Sequence, residues 1–133
     1  MDKKILVTGG CGYIGSHTLI SLSMAGYIPI VLDNLSNSSL EALKQVENIL
    51  GERIKFYNVD ILDKLSLKKI FSENDFEGVI HFAGLKSVDE AEQFPMKYYE
   101  NNVLGSFSLF QEMAKADVKT IVFSSSATVY GEH

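Results

Sequence analysis

One segment near the start of the chain constrains the fold more than any other. Val7-Thr8-Gly9-Gly10-Cys11-Gly12-Tyr13-Ile14-Gly15 lies between a short apolar run, Ile5-Leu6-Val7, and a stretch of helical spacing that reaches about Ala25. Gly10, Gly12 and Gly15 satisfy G-x-G-x-x-G, and Gly9, Gly12 and Gly15 satisfy G-x-x-G-x-x-G. Glycine at these spacings serves three needs. The strand must turn sharply, the backbone must come close to a pyrophosphate, and the helix must pack near the strand. The helix start then offers free N–H groups and a positive dipole end. A glycine-rich turn with no ligand is the alternative, and the strand before and helix after favour dinucleotide binding.

The rest of the chain alternates in the same way. Apolar runs at Ile28 to Leu32, Ile54 to Val59, Val79 to Ala83 and Thr120 to Phe123 predict further strands. Between them, helical spacing covers three stretches. One has Leu40, Leu43, Val46 and Leu50 on one face, opened by a Ser38/Glu41 capping box. One is short, from about Leu65 to Ser72. The longest starts near Pro95, a residue suited to a first helical turn, and carries Val103, Phe107, Phe110 and Ala114. The Phe107 and Phe110 pair is expected in the core. Strands alternating with helices predict an α/β fold, a Rossmann doubly wound parallel sheet with helices on both faces. About five strands are visible, fewer than the six usual for this fold, and the chain stops at His133, soon after the fifth. The expectation is therefore an incomplete sheet: residues 1–133 as an N-terminal NAD-binding portion, without the later strands and without a C-terminal substrate domain.

Asp33 ends the second run, about 20 residues past the glycine turn, where an acid accepts hydrogen bonds from the adenosine ribose hydroxyls. It also repels a 2′-phosphate, and no Arg or Lys stands between Asp33 and Lys44 to receive one. The cofactor expected is NAD rather than NADP. A strand-end Asp that merely starts a turn is the competing reading. Asp60 follows the third run, where it can face the adenine amino group or cap the next helix; both readings stand. Cys11 is best read as a small residue in a tight turn. His17 and His81 have no partner at metal-ligand spacing, so packing or a local hydrogen bond is expected for each and no metal site. Lys68-Lys69 reads as a solvated helix face.

Composition narrows the partners. Among 133 residues the net charge is −5, and no basic patch exists to bind nucleic acid through counterion release. The single cysteine allows neither an internal disulfide nor a cysteine metal cluster. The Met1-Asp2-Lys3-Lys4 start leads into too short an apolar stretch for a signal or membrane segment. A cytoplasmic protein with no membrane partner is expected.

The motifs also carry a resemblance. Thr8 to Gly15 matches the T-G-x-x-G-x-x-G of the extended short-chain dehydrogenase/reductase superfamily. Gly9 to His17, Leu32 to Ser38, His81 to Val88, Tyr98 to Val103 and Phe123 to Gly131 resemble the UDP-glucose 4-epimerases, with Ala83-Gly84-Leu85-Lys86 the most discriminating segment. The resemblance implies an isomerase of galactose and carbohydrate metabolism. NAD takes a hydride from C4 of a UDP-hexose, the 4-keto sugar turns over, and the hydride returns to its other face. It implies that Tyr13 and Ile14 approach the cofactor diphosphate. Asp33, Asn34, Leu35, Ser36, Asn37 and Ser38 wrap the adenosine, and Asp60 and Ile61 flank the adenine. Phe82, Ala83, Gly84, Leu85, Lys86 and Asn101 line the path to the nicotinamide. Lys86 also contacts substrate, and Ser126 is the catalytic hydroxyl, able to hydrogen-bond the sugar O4 and polarise the developing carbonyl. Without the family, Ser124-Ser125-Ser126 reads as a strand-end turn. A homodimer that uses the helix near Pro95 to Ala116 is implied as well.

One departure is decisive. The family's general base is a tyrosine followed four residues later by a lysine, and none of the six tyrosines here is so followed. The polypeptide alone is therefore expected to be inactive. Two other readings remain. A nucleotide-sugar 4,6-dehydratase or decarboxylase shares the fold, but the dehydratase needs an acid near Ala127 or Thr128. A non-catalytic NAD-binding module fits the missing tyrosine.

Overall fold

The computed structural model describes residues 3–11, 13–35, 40–82 and 95–123, and for 13–14, 95–103 and 123 the backbone alone. Five strands, β1 (Lys4–Thr8), β2 (Ile28–Asp33), β3 (Lys55–Asn58), β4 (Phe76–His81) and β5 (Ile121–Phe123), form one sheet in the order β3-β2-β1-β4-β5. Every pairing is parallel. The connections hold α1 (Tyr13–Met24), α2 (Leu40–Leu50), α3 (Lys64–Glu73) and α4 (Pro95–Lys115).

The inner strands β1 and β2 are apolar on both sides because both sides are covered. Alternate residues of one strand therefore enter different cores. Ile5, Val7 and Val31 pack with Leu19 of α1 and with Leu43 and Val46 of α2. Leu6, Ile30 and Leu32 point the other way, toward Leu67, Ile70 and Phe71 of α3 and toward Leu109 and Met113 of α4. This is the doubly wound α/β arrangement the alternation predicts. The chain runs outward from β1 through β2 to β3, then crosses back to β4 on the other side of β1. The sheet order therefore reverses between β1 and β4, and folds of this class place their ligand crevice at such a switch point, beyond the carboxyl ends of the strands.

Three expectations need correction. β4 begins at Phe76 rather than Val79, because Phe76 is buried against Phe71, with ring centroids 5.2 Å apart. Leu40 is exposed at the first turn of α2, while Leu43 and Val46 carry its buried face. Phe107 and Phe110 are not core: they are 57% and 44% exposed. The face of α4 that meets the sheet carries Gly105, Ser106, Ser108, Leu109, Glu112 and Met113 instead. Of its polar members, Ser106 meets His81 and Glu112 meets Lys115. Ser38, and with it the capping box, lies outside the described residues.

Asp63 caps α3, accepting from the Ser66 N–H at 3.2 Å and the Ser66 hydroxyl at 2.7 Å. Two leucines of this helix differ sharply: Leu67 is fully buried and Leu65 is 82% exposed. Leu67→Ala is expected to cost about 2–5 kcal/mol in urea unfolding through lost burial and a cavity. Leu65→Ala should stay within roughly 0.5 kcal/mol of the parent. Equal costs would mean that α3 does not sit on the sheet in this orientation.

Candidate functional site

The site is built on the turn from β1 into α1. Gly9 takes a left-handed φ of +75°, and its N–H donates to the Leu32 carbonyl at 2.7 Å. Gly15 lies in the first turn of α1 against that same backbone. A Cβ on Gly15 would lie 2.7 Å from the Gly9 carbonyl oxygen and 2.8 Å from Gly10 Cα. Backbone cannot step aside, so the helix start rests on the turn only because residue 15 has no side chain. No acidic residue occupies the first turn of α1, so nothing in that turn opposes an anion at its N-terminus.

Asp33 closes the turn from the next strand. Its carboxylate is buried at the end of β2 and accepts from the Cys11 N–H at 3.1 Å and the Leu35 N–H at 2.8 Å. Leu35 is held at a positive φ of 64°, a costly conformation for a bulky residue. The carboxylate bond to its N–H and its packing in the α1/α2-side core hold it there. An acid at the end of the second strand of this fold is placed to accept from ribose hydroxyls. Turn, helix start and acid thus fit a ligand with a pyrophosphate and a ribose. Asp33 is more than a turn-starting Asp, because it ties the glycine turn to the loop after β2.

Cys11 is buried and its thiol is pushed up to about 12, first by burial and then by the Asp33 charge. It is a protonated packing residue, as the tight-turn reading expects. Asp60 does not cap a helix, a role that Asp63 fills. Its carboxylate accepts from the Leu62 N–H at 2.9 Å and remains exposed. Ile61 beside it packs against the α3/α4-side core.

Phe82 follows β4 and lies against the turn. Its N–H donates to the Thr8 carbonyl at 3.1 Å. The structure thus brings Gly9, Gly15, Asp33, Leu35 and Phe82 to one end of the sheet, with Asn34 beside Asp33 and with Asp60 and Ile61 at the β3 side. The backbones of Tyr13 and Ile14 open α1, and Asn101 lies within α4. Gly12, Ser36, Asn37, Ser38, Ala83, Gly84, Leu85, Lys86 and Ser126 lie outside the described residues. Among those described, no cluster of His, Cys, Asp and Glu could hold a metal, and no helix is long and apolar enough to cross a membrane.

The hydrogen bonding expected of His81 is present, but it is long-range rather than local. Thr8 Oγ1 hydrogen-bonds His81 Nδ1, and His81 Nε2 meets Ser106 Oγ at 3.0 Å, all three side chains buried. This chain joins β1, β4 and α4 just below the crevice. Its signal was a histidine within an otherwise apolar strand, since a buried polar group needs a partner. Burial pushes the His81 imidazole from 6.5 to about 4, so it is neutral at neutral pH. The unfolded chain takes up this proton near pH 6.5 and the folded chain only near 4. Stability is therefore expected to fall as pH drops through that window, by at most roughly 3 kcal/mol. Urea unfolding from about pH 7 to 4 measures it. His81→Gln should show a shallower loss, and parallel slopes would mean that His81 is not held neutral.

Comparison with known proteins agrees with this geometry. The family model described as NAD dependent epimerase/dehydratase family matches residues 5–133. A UDP-glucose 4-epimerase of Dictyostelium discoideum is 56% identical over 132 residues, 99% of this chain and 38% of that protein. One of Bacillus subtilis is 58% identical over 127 residues, 96% of this chain and 38% of that protein. The crystal structure of UDP-glucose 4-epimerase from Bifidobacterium longum in complex with NAD+ and UDP superimposes with a TM-score of 0.90 at 48% identity, covering 97% of this chain and 38% of that one. The chain thus spans about 38% of the length of the curated relatives it matches. The glycine turn, the Asp33 brace and a family match that runs through both identify the chain as a member of the NAD dependent epimerase/dehydratase family.

Proposed function

We propose that a protein carrying this chain binds NAD and interconverts UDP-glucose and UDP-galactose through a 4-keto intermediate, and that residues 1–133 are its N-terminal cofactor-binding portion. The observation that carries the reading is the buried Asp33 carboxylate, braced against the glycine turn at the end of β2. It is supported by relatives of 56–59% identity that are UDP-glucose 4-epimerases and by the NAD+ and UDP of the Bifidobacterium structure. Later strands and a C-terminal substrate domain belong to the same proposal.

When bound, NAD+ supplies the hydride acceptor and donor for the sugar C4. The chain's residues bind and orient. The N–H groups at the start of α1, around Tyr13 and Ile14, hold the diphosphate. Asp33 takes the adenosine ribose hydroxyls and, with Asn34 to Ser38, encloses the adenosine, while Asp60 and Ile61 flank the adenine. Phe82 to Lys86 and Asn101 line the way to the reacting end, where Lys86 also touches substrate. Ser126 holds the sugar O4 by a hydrogen bond. The tyrosine–lysine pair of this chemistry is absent from these 133 residues, so turnover is proposed for the protein that carries them and not for the chain alone. Leu104, Phe107 and Phe110 expose an apolar face along α4, which supports a homodimer joined there. A cytoplasmic location completes the proposal.

Calorimetric titration of that protein should show NAD bound more tightly than NADP. Asp33→Asn keeps the size and one acceptor but removes the charge, and is expected to weaken NAD about tenfold and to narrow the gap to NADP. UDP-galactose supplied with catalytic protein should become UDP-glucose without net NADH. Equal affinity for both cofactors, or NAD binding without turnover of either sugar, would reject the epimerase reading; the second result would favour a non-catalytic module.

A further inference from the structure

Two neighbouring residues of α4 touch opposite sides of the crevice. Gly105 faces the loop after β3: a Cβ there would lie 2.6 Å from Ile61 Cγ2. That methyl branches from the stiff Ile61 Cβ and has little freedom to move aside. The helix reaches this loop only because residue 105 has no side chain. Ser106, the next residue, faces β4. Its hydroxyl lies 3.0 Å from His81 Nε2, and His81 Nδ1 is bonded to Thr8. His81 directly precedes Phe82. A Cβ on Gly9 would lie 3.1 Å from the Phe82 carbonyl oxygen and 3.2 Å from its Cβ, so this segment is seated on the glycine turn.

The two contacts act on different halves of a dinucleotide. Asp33, at the end of β2, places the adenosine ribose on the β2/β3 side. With the pyrophosphate at the start of α1, the other half of an extended dinucleotide must lie across the switch point, over β4. We propose, resting on the NAD reading above, that Gly105 and Ser106 are positioning residues through which α4 braces the two sides of the cleft separately. Gly105 sets the Asp60-Ile61 loop against which the adenosine half rests. Ser106 sets, through His81, the Phe82 segment beneath the nicotinamide half.

The test compares two ligands on the protein that carries this chain: ADP, which has only the adenosine half and its phosphates, and NAD. Calorimetry should find that Gly105→Ala weakens ADP and NAD by the same factor, about tenfold. Ser106→Ala should weaken NAD by a similar factor and leave ADP within about twofold. Thr8→Val, which cuts the same hydrogen-bond chain at its other end, should repeat the NAD-only loss. Ile61→Leu moves the branch away from Cβ, so Gly105→Ala should cost much less affinity in that background than in the parent. A thermal melt of each apo variant shows that it is folded when the affinities are read. Equal losses of ADP and NAD in Ser106→Ala and Thr8→Val overturn the brace while leaving the NAD reading intact. No loss in Gly105→Ala, or no relief by Ile61→Leu, overturns its adenosine arm. Failure of the unsubstituted protein to bind NAD overturns both the brace and the reading on which it rests.

Discussion

Helix α1 begins where it does because Gly15 can lie on the backbone of Gly9 and Gly10. Everything at the carboxyl end of the sheet follows from that contact. With the helix start drawn down onto the turn, the positive end of its dipole lies beside the turn. With the turn held low, the Cys11 N–H comes within reach of Asp33, and the Asp33 carboxylate can bridge from β1's turn to the loop after β2. A side chain at residue 15 would lift the helix and break this sequence of contacts at its origin.

The fold was legible because its pattern is redundant. Each strand shows both a β-branched run and a turn or helix signal after it, so a boundary error at one end, such as the late start assigned to β4, leaves the topology intact. The glycine turn and Asp33 were legible for a related reason. Each needs one residue type at one spacing, with a strand on a known side. Asp60 was ambiguous because an acid after a strand serves equally as a cap or a loop residue. Only the position of Asp63, three residues on and bonded to Ser66, decides against the cap.

The failure at α4 has a different cause. Apolar spacing shows which residues could share a face, but not which face meets the sheet. Phe107 and Phe110 form the more conspicuous stripe, yet Gly105, Ser106 and Leu109 turn inward. Two tertiary facts decide the rotation: a close approach to Ile61 that tolerates only glycine, and a buried imidazole that requires a hydroxyl. Both partners lie far away in sequence, so no local window contains them. Burying Ser106 costs little because His81 satisfies it, and burying His81 costs little because Thr8 and Ser106 satisfy it.

These details also explain how an anion can be held in a chain with net charge −5. Among the described side chains at the turn there is no Lys or Arg; the charge present is the carboxylate of Asp33. Among the described residues of the turn, the attraction on offer is that of backbone dipoles, which are fixed in direction and retain full strength only if the turn does not shift. Hence the apparent excess of bracing around so small a segment: Asp33 from one side, Phe82 from the other, Gly15 beneath. A lysine can follow a phosphate that moves, whereas a ring of N–H groups cannot. The neutrality of His81 belongs to the same logic. An imidazolium buried beneath the turn would add a charge whose position the ligand does not share, and burial prevents it from forming at neutral pH. The packing that keeps this imidazole dry is therefore part of the electrostatics of the site as well as of its shape.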